Sequence, residues 1–232
     1  MYTYHKLLKA KFIKRYKRFF TDVETEDSLL TVHNPNTGSM KCVVKEGRDV
    51  LISESDNPKR KLKHTLEAFY VDGEWMLTNT ILMNRVVKHA IEDGEIAELG
   101  EIYSVKPEYK YKDGRIDFYV ECSMGKCLIE VKNVTLFDED TCMFPDAVTE
   151  RGRKHLRILT ESMEDGYIPV MLYLCQIDKK YFRPAHEIDP AYADALYEAY
   201  DAGVTVLTAH TVFDDENGTV RLEKGGEFIK RR

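Results

Sequence analysis

The stretch that most constrains the chain is Asp113 to Asn133, DGRIDFYVECSMGKCLIEVKN. Its alternation predicts two strands joined by a turn at Ser123 to Gly125. In the first, Ile116, Phe118 and Val120 share one face, and Arg115, Asp117 and Tyr119 the other. In the second, Cys127, Ile129 and Val131 share one face, and Leu128, Glu130 and Lys132 the opposite one. Pairing the two strands can bring Asp117 beside Glu130 and Lys132. Two carboxylates could ligate a hard divalent cation, Mg²⁺ or Mn²⁺, which activates water and neutralises phosphoryl charge. Lys132 would orient that water or stabilise developing negative charge. The alternative is a half-exposed hairpin with three solvated positions, and spacing alone does not choose between the two.

Asp117 and Glu130-Val131-Lys132 resemble the core motif of the PD-(D/E)xK nuclease superfamily. Longer runs are more specific: Phe12-Ile-Lys-Arg-Tyr-Lys-Arg-Phe, Asn34-Pro-Asn-Thr-Gly-Ser-Met, Ser55-Asp-Asn-Pro-Lys-Arg-Lys, Arg115-Ile-Asp-Phe, Glu130-Val-Lys-Asn-Val-Thr and Phe144-Pro-Asp-Ala-Val-Thr-Glu-Arg-Gly-Arg-Lys-His-Leu. Together, in order and across nearly the whole chain, they resemble the sugar fermentation stimulation protein A family. The resemblance implies an N-terminal OB-like β-barrel, then a nuclease-like α/β domain with a mixed sheet flanked by helices. It also implies DNA binding. We expect the domains to span residues 1–81 and 82–232. The active-site expectation is Asp117, Glu130 and Lys132 as catalytic residues, with Asp117 and Glu130 as metal ligands. The alternative is a DNA-binding regulatory protein that keeps the fold without turnover. No paired-carboxylate geometry argues for a glycosidase.

Net charge is −6, so any grip on a polyanion must come from local basic clusters. Seven Lys and Arg lie within the first twenty residues, where there is no Asp or Glu; Arg15, Lys17 and Arg18 are the expected nucleic-acid contacts there. Lys59, Arg60 and Lys61 form a second cluster, and Arg151 and Lys154, with His155, a third. Arg157 reads as an ordinary basic helix face. Tyr16, Phe19 and Phe20 interleave with the first cluster and could stack bases or fill a barrel core. Asn36 lies in a loop that either presents backbone N–H groups to an anion or satisfies them with its own Asn and Thr side chains.

Strands are expected at Phe12–Glu24, as one long segment, and at 29–33, 49–54, 65–71 and 74–79, with Asp72-Gly73 as a hairpin turn. A helix follows, capped by Asn84, with Glu98 or Glu101 as a possible further site carboxylate. An extended run around Tyr103 to Tyr111 precedes the motif strands, making three strands in all; then come a loop at 137–146, a helix at 147–164, a strand at 167–176, a helix from Asp189-Pro190 through Tyr200, and a strand at 204–212. The tail from Arg221 is expected to be at best partly ordered. The five cysteines have no C-x-x-C pair and argue for reduced thiols. The absence of a signal-like segment or long apolar run predicts a cytoplasmic protein with no membrane partner. Oligomeric state is left open, a dimer among the options.

Overall fold

The computed structural model describes residues 1–4 and 6–230. The chain begins with the short strand β1 (Tyr2–Thr3), then β2 (Leu7–Tyr16), β3 (Phe20–Glu24), β4 (Leu29–His33), β5 (Asp49–Glu54), β6 (His64–Val71) and β7 (Glu74–Leu77). Strands β2 to β7 form a six-stranded sheet in the order β4-β3-β2-β5-β6-β7, closed by a parallel contact of His33 with Thr65. Alternate inward residues fill it: Phe12, Val23, Val32, Val50, Ile52, Leu66 and Phe69 are at most 3% exposed. Each such large apolar side chain contributes about 1.5–3 kcal/mol of transfer free energy. The expected long strand at Phe12–Glu24 is instead a hairpin. Lys17 and Arg18 both take positive φ, 48° and 62°, and fold the chain back. No glycine or asparagine announces that turn.

Next come α1 (Thr80–Glu92), β8 (Ile102–Tyr111), β9 (Gly114–Cys122), β10 (Gly125–Val134), β11 (Leu136–Asp138), β12 (Thr141–Phe144) and α2 (Glu150–Ser162). The chain ends with β13 (Ile168–Cys175), β14 (Tyr181–Pro184), α3 (Pro190–Ala202), β15 (Thr205–Asp214), β16 (Thr219–Lys224) and β17 (Glu227–Phe228). A seven-stranded mixed sheet runs β1-β16-β15-β13-β10-β9-β8, with β10, β13 and β15 mutually parallel. Helix α1 buries Leu82, Met83, Val86, Val87, Ala90 and Ile91 in one cluster with Phe118, Val120, Ile129 and Val131 of the sheet. Leu128, Met171 and Tyr173, from the other face, share a cluster with Leu156 and Leu159 of α2 and Tyr192 and Leu196 of α3. The central sheet is thus covered by helices on both faces. The succession of helix, three strands, helix and strand expected from periodicity is present.

Several local expectations are corrected. Asn84 does not cap α1; Asn79 does, its Oδ1 accepting the Ile81 and Leu82 amides at 3.1 and 3.2 Å. The expected loop at 137–146 contains the hairpin β11–β12, which joins β14 and β17 in a small sheet. The tail is more ordered than expected. β16 and β17 pair with β15 and β14, since their neighbours offer open strand edges; residues 231–232 lie outside the described residues. Ile116 leaves the face of Phe118 and joins the α2 side; on the paired strand, Glu108 between Pro107 and Tyr109 takes a φ of +53°. The cysteines are all free thiols.

Candidate active site

The β9–β10 ladder pairs Phe118 with Ile129, so Asp117 and Glu130 lie one step further along neighbouring strands. There the regular ladder gives way to side-chain contacts. Asp117 Oδ2 accepts the Val131 amide at 2.8 Å, and its Oδ1 accepts a hydrogen bond from Asn84 Nδ2 at 2.9 Å. Glu130 is 3% exposed. Its Oε1 accepts from Lys132 Nζ at 2.6 Å and from His155 Nδ1. Arg151 Nε donates to His155 Nε2 at 3.4 Å, and His155 Nδ1 faces both Glu130 Oε1 and, at 3.2 Å, Lys132 Nζ.

The two carboxyls differ in electrostatic setting. Burial, then the neighbouring Glu130 charge, push the Asp117 carboxyl up to about 6. Burial also acts to raise Glu130, but Lys132 and His155 outweigh it and hold Glu130 below its ordinary range. Glu130 Oε2 is buried and has no hydrogen-bond partner among the described residues. A buried orphan lone pair beside a second carboxylate fits a hard divalent cation. Among the described residues no group of three or more His, Cys, Asp or Glu side chains could hold a metal. A cation here would therefore keep several waters, as Mg²⁺ and Mn²⁺ sites do.

These residues line a cleft of about 620 Å³. The central sheet supplies Asp117, Glu130 and Lys132; α1 supplies Thr80 and Asn84; the β12–α2 loop and α2 supply Pro145, Asp146 and Arg151. The barrel supplies Arg18, Asn36 and Gly38. That barrel wall is pinned in place: Met40 N and Ser39 Oγ donate to Asp146 Oδ2 and O at 2.9 and 2.8 Å. A Cβ on Gly38 would sit 2.7 Å from Asp146 Oδ2, so a larger residue there would have to displace the carboxylate that holds the loop.

Of the expected site residues, Asp117, Glu130 and Lys132 converge, and Arg18, Asn36 and Arg151 line the same cleft. Arg15 does not face it. Its guanidinium braces the loop by donating to the Asn36 and Gly38 carbonyls, both at 2.7 Å. The Asn36 side-chain Oδ1 accepts the Gly38 amide at 2.8 Å and Asn34 Oδ1 accepts the Asn36 amide at 3.1 Å, so the loop satisfies its own backbone rather than offering an anion nest. His155 is turned inward against Glu130 and is only 7% exposed, with its Nδ1 spent on that carboxylate rather than on a phosphate. Lys154 points away and pairs with Asp113 at 3.0 Å. Lys17 is exposed at the hairpin tip, outside the cleft. Lys59 and Lys61 are exposed on the β5–β6 loop, and Arg60 lines a different cavity. Tyr16 and Phe20 stack on each other, centroids 5.6 Å apart. Glu98 and Glu101 are outside the cleft; the α1 group that reaches Asp117 is the Asn84 amide. The residues that sequence reasoning missed are Asn84 in this role, Asp146, and Glu108, which also lines the cleft. Only the order of a helix before the motif strands hinted at the first.

Residues 13–78 match the family model "SfsA N-terminal OB domain", and residues 81–217 match "Sugar fermentation stimulation protein RE domain". The chain belongs to the sugar fermentation stimulation protein family. A sugar fermentation stimulation protein homolog of Syntrophotalea carbinolica is 46% identical over 97% of this chain and 95% of its own length. One from Pelagibacter ubique is 45% identical over 87% of this chain and 88% of its own. Among solved structures, that of Pyrococcus furiosus SfsA in complex with Ca²⁺ superposes with a TM-score of 0.90 at 24% identity, covering 98% of both chains. The family fold is therefore shared from barrel to C-terminal sheet.

Proposed function

We propose that this family member binds DNA in the cleft and hydrolyses its phosphodiester backbone with the help of a divalent cation, Mg²⁺ or Mn²⁺. The observation that carries the proposal is the buried, unpartnered Oε2 of Glu130 beside Asp117. Asp117 and Glu130 would hold the cation, which lowers the pKa of bound water and neutralises phosphoryl charge. The Ca²⁺ carried by the Pyrococcus furiosus relative is another oxygen-seeking cation, and supports such a site here. Lys132 supplies a positive charge 2.6 Å from Glu130, placed to stabilise an anionic transition state. Asn84 and the Val131 amide orient Asp117. His155 holds Glu130 by a hydrogen bond, and Arg151 braces the far side of its ring. Arg18 and Arg151, on opposite walls, suit bidentate contact with phosphate oxygens.

The test is incubation of single- and double-stranded DNA with the protein and Mn²⁺, beside Glu130→Ala. We expect cleavage by the parent protein and a loss of at least about 100-fold in the variant. Cutting that survives the substitution contradicts the assignment. Binding without any cutting by the parent returns the non-catalytic DNA-binding reading.

A further inference from the structure

Two cavities meet at the first turn of α1. The cleft described above reaches Thr80 and Ile81 from one side. A second cavity, of about 470 Å³, opens on the other side, between β1, Lys6, the β5–β6 loop and α1. Ile81 lines both, and it is 61% exposed although it sits in the first turn of an otherwise well-buried helix. The walls of the second cavity carry three cations from separate parts of the chain: Lys6, Arg60 and Arg85. None of the three forms an ion pair among the described residues; Arg60 donates only to Thr65 Oγ1, at 3.1 Å. Tyr2 lines the same space and hydrogen-bonds Arg85.

Three carboxylates also line this cavity, and their placement decides its sign. Glu67 lies at the back, where Tyr4, Ser53 and Asn79 donate to it at 3.1, 2.5 and 2.9 Å. Those donors engage its oxygens, and the Arg60 charge offsets its own. Glu54 and Asp56 are exposed at the rim, where water and salt screen them. The guanidinium groups of Arg60 and Arg85 can each fork onto phosphate oxygens.

We propose that this second cavity is a phosphate subsite for the same nucleic-acid strand that enters the cleft, with a base resting on Ile81 between them. The substrate is then an extended single strand that crosses the start of α1, engaged on both sides. Concave spaces of 470 and 620 Å³ enclose individual nucleotide units; a stiff duplex would have to be unpaired to fill both. Sequence-tolerant single-strand sites combine a basic groove with an exposed non-polar surface for the bases; Ile81 offers that surface by van der Waals contact, without the stacking an aromatic ring would add. The inference rests on the nucleic-acid reading of the cleft, but not on cleavage.

The test is fluorescence anisotropy in EDTA with labelled oligodeoxythymidylates of about 2, 4, 8 and 12 residues, a range set by typical OB site sizes. Affinity is expected to rise with length until both cavities are filled. Arg60→Ala/Arg85→Ala, which gives up one hydrogen bond to Thr65 and one to Tyr2, should weaken the longer oligomers about tenfold and leave the dinucleotide and the urea midpoint little changed. It should also reduce the salt slope by about 1.4, about 0.7 for each cation removed. Ile81→Asp should weaken the same long oligomers. Lys59→Ala/Lys61→Ala, which removes two neighbouring cations outside the cavity, should have a smaller effect. Equal effects of the two double variants, or tighter binding of a duplex of the same length, overturn the proposal. Glu130-dependent cleavage without the length effect would defeat this inference alone. The length effect without cleavage would defeat only the catalytic reading.

Discussion

Asp117 occupies a position that disfavours its charge. Its carboxyl is pushed up to about 6 by burial and by the nearby Glu130. A raised carboxyl pKa stabilises the fold fully below the unfolded value near pH 3.8, and that stabilisation is lost as pH rises through about 6. Without metal, the ionised Asp117 therefore destabilises the protein at pH 8. Asp117→Asn should be more stable than the parent by about 2 kcal/mol at pH 8 in chelator, with the difference shrinking toward zero near pH 4. Asn84 can turn its amide to suit the new side chain. Urea unfolding at both pH values checks this, and a variant less stable at pH 8 contradicts it. The strand alternation of Asp117, Glu130 and Lys132 was legible in the sequence because it needs only local geometry. The Asn84–Asp117 and His155–Glu130 contacts span 33 and 25 residues and depend on how helices lie across the sheet, which periodicity does not encode.

At the scale of elements, the site depends on how α2 is anchored. Asp189 caps α3 by accepting the Tyr192 amide at 3.0 Å. It also accepts the amide of Thr149, the α2 cap residue, at 2.8 Å and pairs with Arg153 at 3.3 Å. It is 2% exposed, so one carboxylate ties the starts of two helices together. Through α2 it sets where Arg151 and His155 stand. Asp189→Ala removes a cap, worth about 1 kcal/mol, and leaves buried donors unpaired, for a total loss of about 3 kcal/mol or more. Asp189→Asn, which keeps an acceptor, should lose less. A shift in urea midpoint reads both, and equal losses would show that the two-helix tie contributes nothing beyond the charge. Asp189-Pro190 was legible because a cap followed by proline is a local signal. The β2–β3 turn was not, because Lys17 and Arg18 adopt positive φ without the usual residues. β11, β12, β14 and β17 were missed because strands of two to four residues carry too little pattern and form only where partner edges await them.

At the scale of the molecule, the cleft belongs to neither half alone. The central sheet and helices bring the acids and Lys132; the barrel brings Arg18 and the loop held by Asp146. Both domain types were expected from family resemblance, while the loop contact between them was invisible to it. Among the described residues no helix is long and apolar enough to cross a membrane. The central claim is that Asp117 and Glu130 together form a cation site, and binding to the folded state alone must stabilise the whole protein. The direct measurement is the thermal midpoint across a Mn²⁺ titration, for the parent, Asp117→Ala and Glu130→Ala. At about 100 times the dissociation constant, Mn²⁺ should add about 2.7 kcal/mol, a rise of about 5 °C or more in the parent, and neither variant should respond. No rise in the parent, or an equal rise in all three proteins, would contradict the account.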